Sequence, residues 1–172
     1  MKILTEIHRA EGIDIHARTL HRTAVRAVIQ RGPELLMIFS ARVGDYKFPG
    51  GGARRGETHA QALQREVREE CGLSAVHMGP AIGAVIEYNF PVEPAYAVFK
   101  MTSYYYRCEA QGSFGRQVLD DYERELGFQP AWIEMDRALE LNKALLHSAA
   151  PPDWLRREIF VLEYLRKNPV GS

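Results

Sequence analysis

Gly51–Leu73 reads GGARRGETHAQALQREVREECGL, and its two halves carry different signals. The first half is glycine and arginine and reads as loop. Thr58 followed three residues later by Gln61 is a capping box, and Gly72 stands where a C′ glycine ends a helix. The spacing therefore predicts a helix from Thr58 to about Cys71. Ala60, Leu63, Val67 and Cys71 recur at helical spacing and form its expected buried stripe. With Glu66 set at zero and 100° per residue, Glu70 lies about 40° to one side and Glu69 about 60° to the other. Three carboxylates thus share one face and border the apolar stripe.

That placement is locally unfavourable. The C-terminal end of a helix carries partial negative charge, so each acid there costs a few tenths to about 1 kcal/mol. Glu66 and Glu70 are also like charges one turn apart, and Arg65 pairs with Glu69 in the weaker order. A local rule broken without local return marks a candidate functional site. A hard cation such as Mg²⁺ supplies the return, because it takes carboxylate oxygens and reverses the repulsion. The plain alternative is a solvated acidic face offset by Arg65 and Arg68. The triplet Gly50-Gly51-Gly52 shifts the balance, since its backbone can approach a ligand closely just before the helix.

The order Gly51, five residues, Glu57, seven residues, then Arg65-Glu66-Val67-Arg68-Glu69-Glu70-Cys71-Gly72-Leu73 resembles the Nudix box at every fixed position. Phe48-Pro49 before the glycines is similar to the family too. The resemblance implies an α/β fold, an α/β/α sandwich around a mixed β-sheet. It implies Mg²⁺-dependent hydrolysis of the pyrophosphate bond in a nucleoside diphosphate linked to another group, X, with Mn²⁺ as a substitute ion. Glu66, Glu69 and Glu70 match the metal-binding acids, the Gly50 carbonyl is a further candidate ligand, and Arg65 matches the arginine that positions the acids. Glu57 either supports the loop and helix start or contacts metal or water. The general base in this family is not always in the box; Glu123 and Glu125 are the candidates, with Glu125 the expected catalytic residue. Either also reads as a solvated loop acid. Arg54 and Arg55 are candidates for phosphate contact, since arginine binds phosphate oxygens in a bidentate manner, or are solvated loop residues. Arg22 and Arg26 alternate along a strand toward a cleft or toward water. Two other readings stand beside the hydrolase of X-linked diphosphates: a sanitising hydrolase of damaged (d)NTPs, and a nucleotide-sensing module without catalysis.

Around the box, Arg22–Gln30 and Leu35–Phe39 read as strands joined at Arg31-Gly32-Pro33-Glu34. Residues 75–88 and 96–108 read as longer strands, and 13–17 as a short one. The segment 109–126 reads as a long loop and 128–135 as another strand. Asp136 is the expected cap of a helix to about Leu146. Asp153 is expected to open a last helix, about 153–167, with Leu155, Ile159, Leu162 and Leu165 on one side. Alternation places Tyr104 and Tyr106 on one sheet face and Tyr105 on the other. These tyrosines, Trp132 and Trp154 read as packing residues ahead of a base-stacking platform.

The chain of 172 residues suits a single domain, 1–172, with an N-terminal extension, 1–20, before the box-bearing core. Formal net charge is zero, so no global basic field draws nucleic acid. No apolar run is long enough for a membrane span, and the first residues do not read as a signal peptide. The expected compartment is the cytoplasm, where Cys71 and Cys108 stay reduced. The expected partner is a small nucleotide. Nothing in the pattern assigns an oligomeric state.

Overall fold

The computed structural model describes residues 1–169; the last three positions of the expected 1–172 domain lie outside the described residues. Its elements are β1 (Ile3–His8), β2 (Thr19–Arg31), β3 (Glu34–Ser40), β4 (Tyr46–Lys47), α1 (His59–Cys71), β5 (Ala75–Asn89), β6 (Val98–Gln111), α2 (Asp121–Leu126), β7 (Phe128–Glu134), α3 (Met135–Leu145) and α4 (Leu155–Lys167).

The strands form a mixed sheet. β1 runs parallel to β5, β5 antiparallel to β6, and β6 parallel to β2. One edge of β3 is shared by the end of β2, at Gln30 and Arg31, and by β4, at Lys47 and Tyr46. β7 takes the opposite edge. Because β2 leaves β3 so early, its edge is open to the chain that follows β4. Val25 N donates to Gly51 O at 2.9 Å, Ala27 N to Pro49 O at 2.8 Å, and Ala53 N to Thr23 O at 2.9 Å. The glycine loop is therefore strapped to a core strand.

Period-2 alternation then sorts the core. Val25, Ala27 and Ile29 of β2, Leu36 and Ile38 of β3, and Tyr106 and Cys108 of β6 pack under Leu63, Val67 and Cys71 of α1. Val28, Leu35, Met37 and Tyr105 point the other way, onto Ala138 and Leu139 of α3 and Leu155, Leu162 and Leu165 of α4. This is the expected α/β/α sandwich, and the alternating tyrosines fall as read.

Four expectations are corrected. Residues 13–17 form turns, not a strand; Ile13 and Ala17 cover Ile86, Tyr88 and Val98, and β1 is the real N-terminal strand. The 109–126 loop contains α2, which Asp120 and Glu123 hold by a capping box. α3 starts at Met135 with Glu134 as cap and no side-chain capping bond, so Asp136 is inside it. α4 starts at Leu155, where the backbone N–H bonds the Pro152 carbonyl, rather than at Asp153.

β5 and α4, with Arg9 just past β1, are joined by an ion network whose centre is buried. Arg9 meets Glu87 at 2.7 Å, Arg157 meets the other Glu87 oxygen at 2.6 Å, and Arg157 also meets Glu158 at 2.7 Å. Burial pushes the Glu87 carboxyl upward, but the Arg157 and Arg9 charges outweigh it and hold Glu87 below its usual range. A depressed carboxylate stabilises the fold above its unfolded-state value, about 4.3, and that contribution disappears as pH falls through the folded value. Urea midpoints should therefore fall below about pH 4, and Glu87→Gln should flatten that acid limb. An unchanged limb in the variant would contradict the assignment.

Candidate active site

The loop and α1 assemble the site. Thr58 caps α1 with the expected reciprocal bonds to Gln61, and Gly72 closes it in the left-handed region. The buried face uses Ala62 where Ala60 was expected; Leu63, Val67 and Cys71 are as read. The acids grade outward as the helical angles require. Side-chain exposure is 1% for Glu70, 12% for Glu66 and 26% for Glu69.

Each acid has a fixed partner. Glu70 accepts from Lys47 Nζ at 2.8 Å and from Gly50 N at 2.7 Å. Glu66 and Glu69 share Arg65 Nη1, at 2.6 and 3.2 Å. Arg65 also donates to the Gly52 carbonyl at 3.0 Å and grips both oxygens of Glu57 at 2.8 Å each. With Arg54 N as a third donor, these bonds hold the Glu57 carboxyl down at about 2. Glu57 is thus a brace for Arg65 and the loop. The adverse helix end is relieved from outside. Val118 N donates to Glu69 O at 2.8 Å and Gln117 Nε2 to Glu70 O at 2.6 Å.

The glycines are required by contact. A Cβ on Gly51 would lie 2.5 Å from the Glu66 carboxylate, so the acid rests directly on the loop. Gly50 has φ +133°, and a Cβ there would overlap the Val25 carbonyl oxygen. Gly50→Ala is expected to destabilise the protein by about 2 to 3 kcal/mol, measured by urea unfolding. A wild-type midpoint would contradict the strapped-loop geometry.

Glu66 is half-buried against the loop. Burial raises its pKa, Arg65 offsets part of the effect, and Glu70 and Glu69 add to it. A cavity of about 370 Å³ opens beside it, lined by Gly52, Arg54, Arg65, Glu66 and Glu69 on the α1 side and by Val118, Leu119, Asp120 and Glu123 opposite. Three carboxylates side by side are a donor set that suits a hard divalent cation. As the side chains stand, no three His, Cys, Asp or Glu residues among the described residues are gathered to surround an ion. The reason is visible: Lys47, Gly50 N and Arg65 hold the oxygens.

The sequence matches the NUDIX domain family over residues 20–155. The chain belongs to the Nudix family. Its fold is also that of Nudix structures at low identity. A Nudix hydrolase from Nitrosomonas europaea aligns at 17% identity and TM-score 0.57, over 89% of this chain and 97% of the other. A MutT protein from Methanosarcina mazei aligns at 17% and 0.54, over 88% and 98%. An ADP-ribose pyrophosphatase from Streptococcus suis aligns at 16% and 0.52, over 84% and 92%.

Within this Nudix site, the expected residues separate. Glu57, Arg65, Glu66, Glu69, Glu70 and Gly50 come together, and Arg54 overhangs Glu69 at 3.7 Å. Arg55 stands farther along the loop, on a neighbouring cavity. Glu125 is corrected: it is exposed, pairs with Arg42 at 2.6 Å and does not line the acid cavity. The α2 turn brings Glu123 there instead, half-buried, with its pKa raised by burial. Lys47 and Gln117 were missed, and Arg26, read as facing a cleft or water, turns to the glycine loop. Arg26, buried on β2, donates to the Gly50 carbonyl and leaves that oxygen one lone pair for another ligand.

Trp154 donates to Asp45 at 2.6 Å, and Trp132 packs beside the core under Arg31. Cys71 and Cys108 are free and buried, and burial pushes the Cys108 thiol up to about 12. Among the described residues no helix is long and apolar enough to cross a membrane.

Proposed function

We propose that the protein is a divalent-metal-dependent Nudix pyrophosphohydrolase, cytoplasmic, that cleaves a nucleoside diphosphate linked to X within the cavity between α1 and α2. The observation that carries the reading is the convergence of Glu66, Glu69 and Glu70 on one face of α1, with Glu66 resting on Gly51. Family membership makes the enzyme class a hydrolase acting on small nucleotides; neighbours of this fold include the ADP-ribose pyrophosphatase above and a UDP-X diphosphatase.

Glu66, Glu69, Glu70 and the free lone pair of the Gly50 carbonyl would hold Mg²⁺ or Mn²⁺. Such an ion neutralises phosphate charge and acidifies water. Arg65, braced by Glu57, fixes the directions of Glu66 and Glu69. Lys47 Nζ pairs with Glu70 at 2.8 Å in the core and fixes that carboxylate's direction. Arg54 overhangs the cavity, where its guanidinium can grip a phosphate oxygen. Glu123, across the cavity and with a raised pKa, takes the proton of the attacking water. The box has all three of its acids, which favours catalysis over sensing.

The test is product formation from a panel of ADP-ribose, nucleotide sugars, dinucleoside polyphosphates, coenzyme A, FAD, and normal and oxidised dNTPs, with Mg²⁺ and with chelator. Metal-dependent cleavage of one class far above the rest is the expected result. Preference for oxidised dNTPs would select the sanitising reading. Tight binding of a panel member with no product would select the sensing module.

A further inference from the structure

A second cavity, of about 560 Å³, lies across Gly52 from the acids. Gly52 and Arg54 line both cavities, so the two are contiguous. The new cavity has the opposite character. His21 and Arg22 of β2, Arg54 and Arg55 of the loop, and His59 at the start of α1 surround it. Among the described residues Arg22 and Arg55 make no ion pair, and Arg54 has only the long contact to Glu69. The single carboxylate on the lining, Glu57, is already occupied by Arg65 and Arg54 N.

His59 is held in place by two tyrosines. Its Nδ1 lies 2.5 Å from the Tyr106 hydroxyl, and its ring packs on Tyr104 with centroids 4.6 Å apart. That contact fixes the ring at the rim of the cavity and leaves Nε2 without a partner among the described side chains, and a neutral imidazole Nε2 offers a polar atom to a ligand in either tautomer. The whole chain has a formal charge of zero, so this grouping of three arginines and two histidines is local. Arginine forks match phosphate oxygens in geometry and charge, and the first turn of α1 adds partial positive charge.

We propose that this cavity is a subsite for a further phosphate of the substrate, so that the preferred X bears at least one phosphate beyond the scissile pair. The inference rests on the hydrolase reading for the position of the scissile diphosphate beside the acids. It adds Arg22, His21 and His59, all outside the fixed positions of the box, to the residues that choose the substrate.

The first arm of the test is calorimetric titration of inorganic tripolyphosphate in buffer stripped of divalent ions. Wild type should bind, and affinity should fall about tenfold for each arginine lost in Arg22→Ser and Arg22→Ser/Arg55→Ser. No binding by wild type, or wild-type affinity in the double variant, overturns the subsite. The second arm compares kcat/KM for coenzyme A over dephospho-coenzyme A and for NADP⁺ over NAD⁺, pairs that differ by one phosphate. Wild type should prefer the extra phosphate about tenfold, and Arg22→Ser should bring the ratio toward one. Turnover of both members at equal efficiency overturns the proposal. Tripolyphosphate binding lost in the double variant, with no panel member cleaved, supports the subsite while removing the hydrolase reading.

Discussion

Glu69→Gln is expected to lower metal-dependent kcat by about 10²- to 10³-fold while leaving the urea midpoint close to wild type. Both halves follow from position. Glu69 is the most exposed of the three acids at 26%, and its partners are Arg65 and the distant Arg54. Glutamine preserves its shape and removes its charge. Little packing is lost, but a hard cation loses an anionic oxygen. Glu70→Gln is a poorer probe, because it strands buried Lys47 and mixes folding with catalysis. Steady-state kinetics across a Mg²⁺ titration, with unfolding curves on the same samples, checks the prediction. A fully active Glu69→Gln enzyme would remove the acid face from the mechanism.

Arg157→Met is expected to destabilise the protein by about 3 to 5 kcal/mol. Arg157 is 3% exposed and lies between Glu87 at 1% and Glu158 at 0%. Removing it leaves two carboxylates in the core, with Arg9 as the cation remaining on Glu87. Breaking a buried pair from one side costs much more than the intact pair contributes. The effect should also reach the site. Glu158 accepts from Phe48 N at 2.9 Å, and Phe48 lies between Lys47 and the glycine loop, both bonded to Glu70. Urea unfolding gives the stability, and a change below about 1 kcal/mol would mean the network is solvated and weak.

The parts of this molecule that sequence shows are those whose cause is local. The α1 cap, its C′ glycine and the convergence of Glu66, Glu69 and Glu70 all follow from spacing within one helix. The alternation of Tyr104, Tyr105 and Tyr106 follows from a strand's period. What sequence hid are contacts between distant segments. Lys47 meets Glu70 across 23 residues, Arg26 meets Gly50 across 24, and Glu158 meets Phe48 across 110. No periodicity states which strand lies beside which, so those partners became visible only with the sheet order. Glu125 is an intermediate case. Asp120 and Glu123 stand at capping-box spacing, with Gly127 to close the turn. That signal marked a short helix in the segment read as loop, and the helix turns Glu123 toward the acids while Glu125 pairs with Arg42.

The proposed divalent ion site lies where α1 meets the glycine loop. The most direct measurement is diffraction from crystals grown with Mn²⁺, using its anomalous signal to locate the ion. A peak is expected within coordination distance of Glu66, Glu69 or Glu70 and the Gly50 carbonyl, with Arg65 still bracing the acids. A Mn²⁺-dependent enzyme whose ion sits elsewhere, with these carboxylates still bound to Arg65 and Lys47 alone, would contradict it.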